Sequence, residues 1–436
     1  MTVPAQAPGV LAAAYQPADR SRPLLETTCG SVLRDAAARC PDVPALVEGV
    51  PDPAERRRWT YAGLLGEAER VARALLSRFD PGERVAVWAP NVPEWIQLQF
   101  GAALAGLTLV TVNPLYRAAE AADVLRRSGA AGVFLVPQVR GNSLTGFLDQ
   151  VRPGLPGLRE TVLLTDWADF TRSGSPAQSL PQVAAGDPAQ IQYTSGTTGR
   201  PKGAVIHHCG YTNNARFVAD MLQLQPGEVM VNPMPLFHTA GSGAITLSAI
   251  QAGATQVLMR AFDPALFLAL QESEHGRVFG GVPTMLLAAL EHPDFARRDL
   301  SAVRIAWSGG ALVAPALVRR VEAVLDVPFL IVFAQTEASP VITSTVPADT
   351  ADGCRSFVAL HGLREAARSR AGPLVKHEPR STLTRVVLRR AKARRGWTGG
   401  PHSGRYLGAQ MALGDGHPLT RQSCWPSAGR SQRWPG

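Results

Sequence analysis

Between Glu83 and Phe333 short apolar runs alternate with stretches of helical spacing, and this alternation constrains the fold more than any other feature of the chain. Arg84 to Ala89, Thr108 to Val112 and Gly132 to Val136 read as strands, with helices at Glu94 to Ala105 and Ala118 to Ser128. Beyond a central loop the pattern resumes with strands at Gly227 to Asn232, Thr255 to Leu258, Val278 to Val282, Val303 to Trp307 and Pro328 to Phe333. Helices are expected between them, at Gly241 to Ala252, Pro264 to Glu274, Pro283 to Leu290 and Ala314 to Val324. Such a chain predicts an α/β fold of largely parallel sheets flanked by helices, with ligands at the carboxyl ends of the strands. Ahead of it, residues 1 to 60 read as an opening segment with a helix around Ser31 to Ala38 and a polar loop from Asp52 to Arg58. Thr60 is placed to cap a helix running towards Phe79.

The central loop is Ile191 to Gly203, Ile-Gln-Tyr-Thr-Ser-Gly-Thr-Thr-Gly-Arg-Pro-Lys-Gly. Gly196 and Gly199 leave little Cβ obstruction, so backbone can wrap phosphate oxygens while Thr194, Ser195, Thr197 and Thr198 supply hydroxyls. Ala189 to Tyr193 suits a strand and Pro201 stops a helix, which hangs the loop from a sheet edge. Lys202 is the only lysine before residue 376 in a chain that otherwise uses arginine. A Walker loop needs Gly-Lys-Ser/Thr; here Lys202 precedes Gly203 and no hydroxyl follows. Residue for residue, the run resembles the signature of the adenylate-forming enzymes: acyl-CoA synthetases, luciferases and the adenylation domains of peptide synthetases.

Three further stretches extend the resemblance. In Met234 to Gly243, glycines after His238 let a helix N-terminus begin close to an anionic ligand; the resemblance puts His238 beside the acyl carboxylate. In Trp307 to Leu312, at a strand end, it implies that Gly309, Gly310 and Ala311 floor the acyl and adenine pocket. In Val332 to Glu337 it implies nucleotide contacts from Phe333, Ala334 and Gln335, an α-phosphate contact from Thr336, and Mg²⁺ held by Glu337. The family has glycine where this chain has Ala334; a positive φ there would cost alanine about 1 kcal/mol. Together the motifs imply the stacked-sheet N-terminal domain of that family over residues 1 to 352, with Thr197, Lys202, His238 and Glu337 as its catalytic residues. ATP, Mg²⁺ and coenzyme A are the implied cofactors and co-substrates, and an acyl-adenylate the implied intermediate.

Asn91-Val92-Pro93-Glu94-Trp95, Val112 to Tyr116 and Gly281 to Met285 resemble the medium- and long-chain fatty acyl-CoA synthetase branch, with Gly243, Ala244 and Gly309 leaving room for the acyl chain. A catalytically impaired nucleotide and acyl binder of the same descent is the alternative. The net charge of +9 would suggest nucleic acid, but its distribution argues otherwise. Cys354 to Gly436 carries 16 Lys and Arg against 3 Asp and Glu, leaving 28 basic against 32 acidic residues before it. Residues 353 to 436 therefore read as a basic tail that builds no core of its own, and Arg385 to Arg395 lacks the aromatic interleaving of a nucleic-acid site. The family's ribose-binding Thr-Gly-Asp is not in the tail; Gly414-Asp415-Gly416 is read as coincidence, and Lys376 and Lys392 lack the family's catalytic-lysine context. A truncation or shifted reading frame between Asp349 and Arg355 is the expectation. No apolar run reaches membrane-spanning length and no secretory leader is read, so a cytoplasmic protein is expected. Cys29, Cys40, Cys209, Cys354 and Cys424, with no Cys-x-x-Cys, are expected as reduced thiols.

Overall fold

The computed structural model describes residues 23–194, 201–345 and 358–359. The first half of the chain supplies β1 (Pro44–Gly49), β2 (Arg58–Thr60), β3 (Arg84–Trp88), β4 (Thr108–Val112), β5 (Gly132–Leu135), β6 (Gln138–Val139), β7 (Asn142–Ser143), β8 (Glu160–Leu163), β9 (Pro188–Thr194) and β10 (Lys202–His207). The second supplies β11 (Val229–Asn232), β12 (Thr255–Met259), β13 (Gly276–Gly281), β14 (Ile305–Gly309), β15 (Phe329–Ala334), β16 (Val341–Ser344) and β17 (Val358–Ala359). The helices are α1 (Cys29–Arg39), α2 (Tyr61–Leu76), α3 (Pro93–Leu104), α4 (Ala118–Ser128), α5 (Leu144–Val151), α6 (Trp167–Arg172), α7 (His208–Met221), α8 (Ser248–Ala252), α9 (Pro264–Ser273), α10 (Pro283–Glu291) and α11 (Pro315–Leu325).

Two large sheets result, a six-stranded one ordered β10-β9-β4-β3-β5-β8 and a nine-stranded one ordered β17-β16-β15-β14-β13-β11-β12-β1-β2. Inside both, neighbours run parallel; antiparallel pairing is confined to the edges, at β10, β2, β16 and β17. Parallel strands need both faces covered, and they are. One core packs α1 to α3 with the six-stranded sheet and takes in Leu236, Leu247, Ile250 and Leu258 from the second half, so the two sheets share it. Two more cores cover the nine-stranded sheet, one through α9 to α11 and one through α7 and the segment around Ile245. Among the described residues no helix is long and apolar enough to cross a membrane.

The strands expected between Glu83 and Phe333 fall within a few residues of where the alternation puts them, while β6 to β8 and α5 to α7 have no counterpart in that reading; Thr60 caps α2 by accepting from the Gly63 amide at 3.1 Å. The opening segment is more structured than its sequence suggests, because β1 and β2 complete the nine-stranded sheet beside β12. The helix expected over Gly241 to Ala252 is divided: Ala240–Leu247 is a π-helix and only Ser248–Ala252 is α. Cys29 and Cys40 are free, whereas Cys209 is disulfide-bonded, against the expectation of a reduced thiol. Apart from 358–359, the basic tail lies outside the described residues, as do the readings made of it.

His207 and His208 sit at the N-cap and first residue of α7. His208 is buried and its Nδ1 accepts from the Cys29 amide at 3.2 Å, tying α7 to α1. Desolvation, helped by neighbouring His207, lowers its pKa to about 4. The unfolded chain protonates this imidazole near its ordinary value, so between there and about 4 the unfolded state binds the extra proton and stability rises with pH. This contribution is complete above about pH 6.5, falls away as the pH drops to about 4, and is on the order of 3 kcal/mol. Urea melts at pH 7 and pH 4.5 should show that slope, and His208→Gln, whose side-chain oxygen can still accept from Cys29, should flatten it.

Candidate functional site

In an open parallel sheet the crevice lies where the strand order reverses, beyond the strand's carboxyl end. In the six-stranded sheet that strand is β3, with β4 on one side and β5 on the other; in the nine-stranded sheet it is β11, between β12 and β13. Asn91 follows β3 and the loop bearing His238 follows β11. The two switch points are joined directly. Asn91 Nδ2 donates to the carbonyls of Met234 (2.9 Å) and Met259 (3.0 Å), and its Oδ1 accepts from the Leu236 amide (2.8 Å). Thr111 of β4 adds a bond to the Phe237 carbonyl at 3.0 Å.

The loop so held presents His238. Its carbonyl accepts from the Gly241 and Ser242 amides (3.0 and 3.1 Å), and its ring lies 4.4 Å from that of Phe237. The side chain reaches solvent at the rim, yet the surrounding protein desolvates the imidazole and lowers its pKa, so it is uncharged at pH 7. The π-helix begins two residues later, an irregularity frequent at functional sites. Its glycines serve packing: a Cβ at Gly241 would meet the Pro235 carbonyl at 2.3 Å, and one at Gly243 the Tyr211 ring at 2.2 Å. Gly243 therefore makes room for Tyr211, not for open space as its sequence reading supposed.

At the edge of the six-stranded sheet, Thr194 ends β9 and pairs with Lys202, which opens β10. Ser195, Gly196, Thr197, Thr198 and Gly199, between them, lie outside the described residues. The loop's far base is pinned to α4, because Arg127 donates to the Pro201 carbonyl at 2.6 Å and lies over the Tyr193 ring at 5.8 Å. As the sequence suggested, β10 is an edge strand. Against it lies the 3₁₀ turn Thr336–Ala338, which carries Thr336 and Glu337. That turn is closed by Ala338 donating to the Gln335 carbonyl (2.9 Å) and by the Gln335 amide donating to the Pro340 carbonyl (2.9 Å). The edge of one sheet thus meets the carboxyl end of the other, and Lys202 and Glu337, 135 positions apart in the chain, sit on adjoining segments.

Gly309 ends β14 and Phe333 lies near the end of β15, where it is 40% exposed. Gly310 has φ +75°, which explains its glycine, while a Cβ at Gly309 would strike the Val332 carbonyl at 2.4 Å. The close approach at Gly309 is therefore to β15. Ala311 beside it is exposed. Ala334 carries no positive φ, so the anticipated cost of replacing glycine there does not arise. Among the described residues no group of three His, Cys, Asp or Glu is gathered into a metal cage. A single carboxylate on an exposed turn does fit Mg²⁺ delivered with a nucleotide, since that ion keeps waters and takes its remaining ligands from phosphates.

Several contributors were not singled out from sequence: Asn91 as a clamp, Thr111, Arg127, and the buried pair Gln190 and Gln192. The last carried a signal, because residues two apart on a strand share a face, and two amides on the buried face of an apolar strand need a reason.

A family model for "AMP-binding enzyme" matches residues 33–360. Over 351 residues the chain is 33% identical to YngI of Bacillus subtilis (strain 168), covering 74% of this chain and 63% of that one. It is 32% identical over 359 residues to the mitochondrial medium-chain acyl-CoA ligase ACSF2 of Homo sapiens, covering 74% of this chain and 58% of that one. The chain thus spans only about three fifths of the length of these curated relatives. The N-terminal domain of FACL13 from Mycobacterium tuberculosis matches with a TM-score of 0.68 at 26% identity, over 76% of this chain and 83% of that one. FadD1 from Archaeoglobus fulgidus, a long-chain-fatty-acid-CoA ligase, shares the fold at a TM-score of 0.71 and 22% identity, over 80% of this chain and 72% of that one. A match that runs from Leu33 to Leu360 takes in both switch points and the adjoining segments that carry Lys202 and Glu337, and the chain belongs to the AMP-binding, adenylate-forming enzyme family.

Proposed function

We propose that these residues form the nucleotide- and acyl-binding domain of a cytoplasmic fatty acid–CoA ligase acting on medium- or long-chain acids. The observation that carries the reading is the meeting of β10, which opens with Lys202, and the turn that holds Glu337, with the glycine-and-hydroxyl loop strung between β9 and β10. In the reaction, a carboxylate oxygen attacks the α-phosphorus of ATP, the α–β bridge bond breaks, and acyl-adenylate and pyrophosphate form. The thiol of coenzyme A then attacks the acyl carbon and AMP leaves. A carboxylate is ionised at pH 7, so no general base is required. His238, uncharged, has an N–H to donate to a carboxylate oxygen and so orients it. Lys202 and the hydroxyls and amides of Thr194, Ser195, Gly196, Thr197, Thr198 and Gly199 would hold the phosphates, and Thr336 the α-phosphate. Glu337 would hold Mg²⁺, which when bound offsets the charge of the triphosphate. Phe333 offers an aromatic face to the base, beside Ala334 and Gln335, with Gly309, Gly310 and Ala311 along the pocket floor.

The tail's sequence favours a second reading, a nucleotide and acyl binder without turnover, because the ribose-binding and catalytic-lysine motifs are not found in it. One pair of measurements tests both. MgATP at about a hundredfold over Kd should raise the melting temperature by roughly 5 °C, and pyrophosphate release should follow addition of a fatty acid. A shift without release selects the second reading; no shift removes both.

A further inference from the structure

Behind His238 lies a buried polar cluster to which nucleotide chemistry gives no part. Ser242, in the π-helix, donates from Oγ to the His238 carbonyl (3.1 Å), accepts from Gln192 Nε2 (3.1 Å) and bonds the Tyr211 hydroxyl (2.8 Å). Its own carbonyl accepts from Gln99 Nε2 at 3.1 Å. Gln190 Oε1 accepts from Gln192 Nε2 (2.9 Å) and from Tyr211 (3.3 Å). The cluster draws on α3, β9, α7 and the π-helix, and none of the five side chains is more than 3% exposed.

Three of its atoms have nothing to bond: Gln190 Nε2, Gln192 Oε1 and Gln99 Oε1. Buried polar atoms in native proteins are nearly always paired, and an unmet one carries its full desolvation cost. One donor and two acceptors left over are the complement of a group that both donates and accepts, which an alkyl chain does not have and a hydroxyl does. The cluster adjoins the loop that presents His238, since the Ser242 amide and hydroxyl both donate to the His238 carbonyl at 3.1 Å. With the carboxylate oriented by His238 as proposed above, an acyl chain that ran inward along the π-helix would end at this cluster.

We propose that Gln99, Gln190, Gln192, Tyr211 and Ser242 form the polar far end of the acyl site and bind a hydroxyl carried on the acyl chain, so that hydroxylated acids are preferred to plain alkyl acids. This rests on the acyl-binding reading above. The test uses non-hydrolysable acyl-sulfamoyl-adenosines bearing hexanoyl, octanoyl and decanoyl chains, each with and without a terminal hydroxyl, titrated calorimetrically into the full chain. At the chain length that reaches the cluster, the hydroxylated compound should bind about tenfold more tightly. Gln190→Leu combined with Gln192→Leu should reverse that order, and Ser242→Ala, a smaller change, should reduce it. If at every length the two compounds bind the wild type equally, the cluster holds only water and the proposal falls, while the acyl-binding reading stands. If no compound of either kind binds, both fall together.

Discussion

Replacing Asn91 by alanine is expected to lower the unfolding free energy by about 4 kcal/mol, the sum of leaving three buried backbone groups unpaired at about 1 to 3 kcal/mol each, partly relieved by relaxation. The groups are the carbonyls of Met234 and Met259 and the amide of Leu236, and Asn91 is 6% exposed, so bulk water does not replace it. Because the side chain bridges the switch points of both sheets, its loss also frees the loop that presents His238. Affinity for an acyl-adenylate analogue should fall further than affinity for MgATP, whose proposed phosphate contacts lie at the β10 edge. Asn91→Asp keeps the acceptor for Leu236 and loses both donors, and should cost at least as much at pH 7 because it buries a carboxylate. Urea melts and titrations of the two ligands measure this; a loss under about 1 kcal/mol for alanine, within the range of ordinary surface changes, would contradict the clamp.

The second large effect is on the nucleotide. Lys202→Met and Glu337→Gln each remove one charge, the first from the start of β10 and the second from the Thr336–Ala338 turn packed against that strand. Each should abolish most of the MgATP-induced rise in melting temperature and, if the chain turns over, reduce pyrophosphate release by about a hundredfold or more, the scale of losing one preorganised charge partner of a transition state. Glu337→Gln should be partly rescued by raising Mg²⁺, and Lys202→Met should not, which separates metal binding from direct phosphate contact. Unchanged MgATP stabilisation in both variants would place the nucleotide elsewhere.

How far the sequence reaches is clearest in pairs of neighbouring elements. The strand from Thr108 to Val112 and the helix from Ala118 to Ser128 were legible to the residue, because each has enough local apolar periodicity to state its own class. Pro44–Gly49 was not. Its buried run is short, and what makes it a strand is pairing with Thr255–Met259, far along the chain. The π-helix over Ala240–Leu247 escaped for a related reason: spacing shows that one face is apolar, but not which backbone ladder closes, and Tyr211 packed against Gly243 bears on that. Glycine patterns were legible as points of close approach but not as to what approaches. Gly309 meets Val332, and Gly243 meets Tyr211.

By itself the sequence determined the α/β class, the largely parallel order and the chemistry available in the loop before Lys202 and around His238 and Glu337, since residue type and local spacing are enough for those. Only the tertiary structure decided that Asn91 would lock two switch points together, that Lys202 and Glu337 would come to lie on adjoining edges, and that Gln99, Gln190 and Gln192 would be turned inward. Those are products of contacts between segments distant in the chain, formed when the two sheets bury one shared core, and no local pattern records which partner a buried polar group will find.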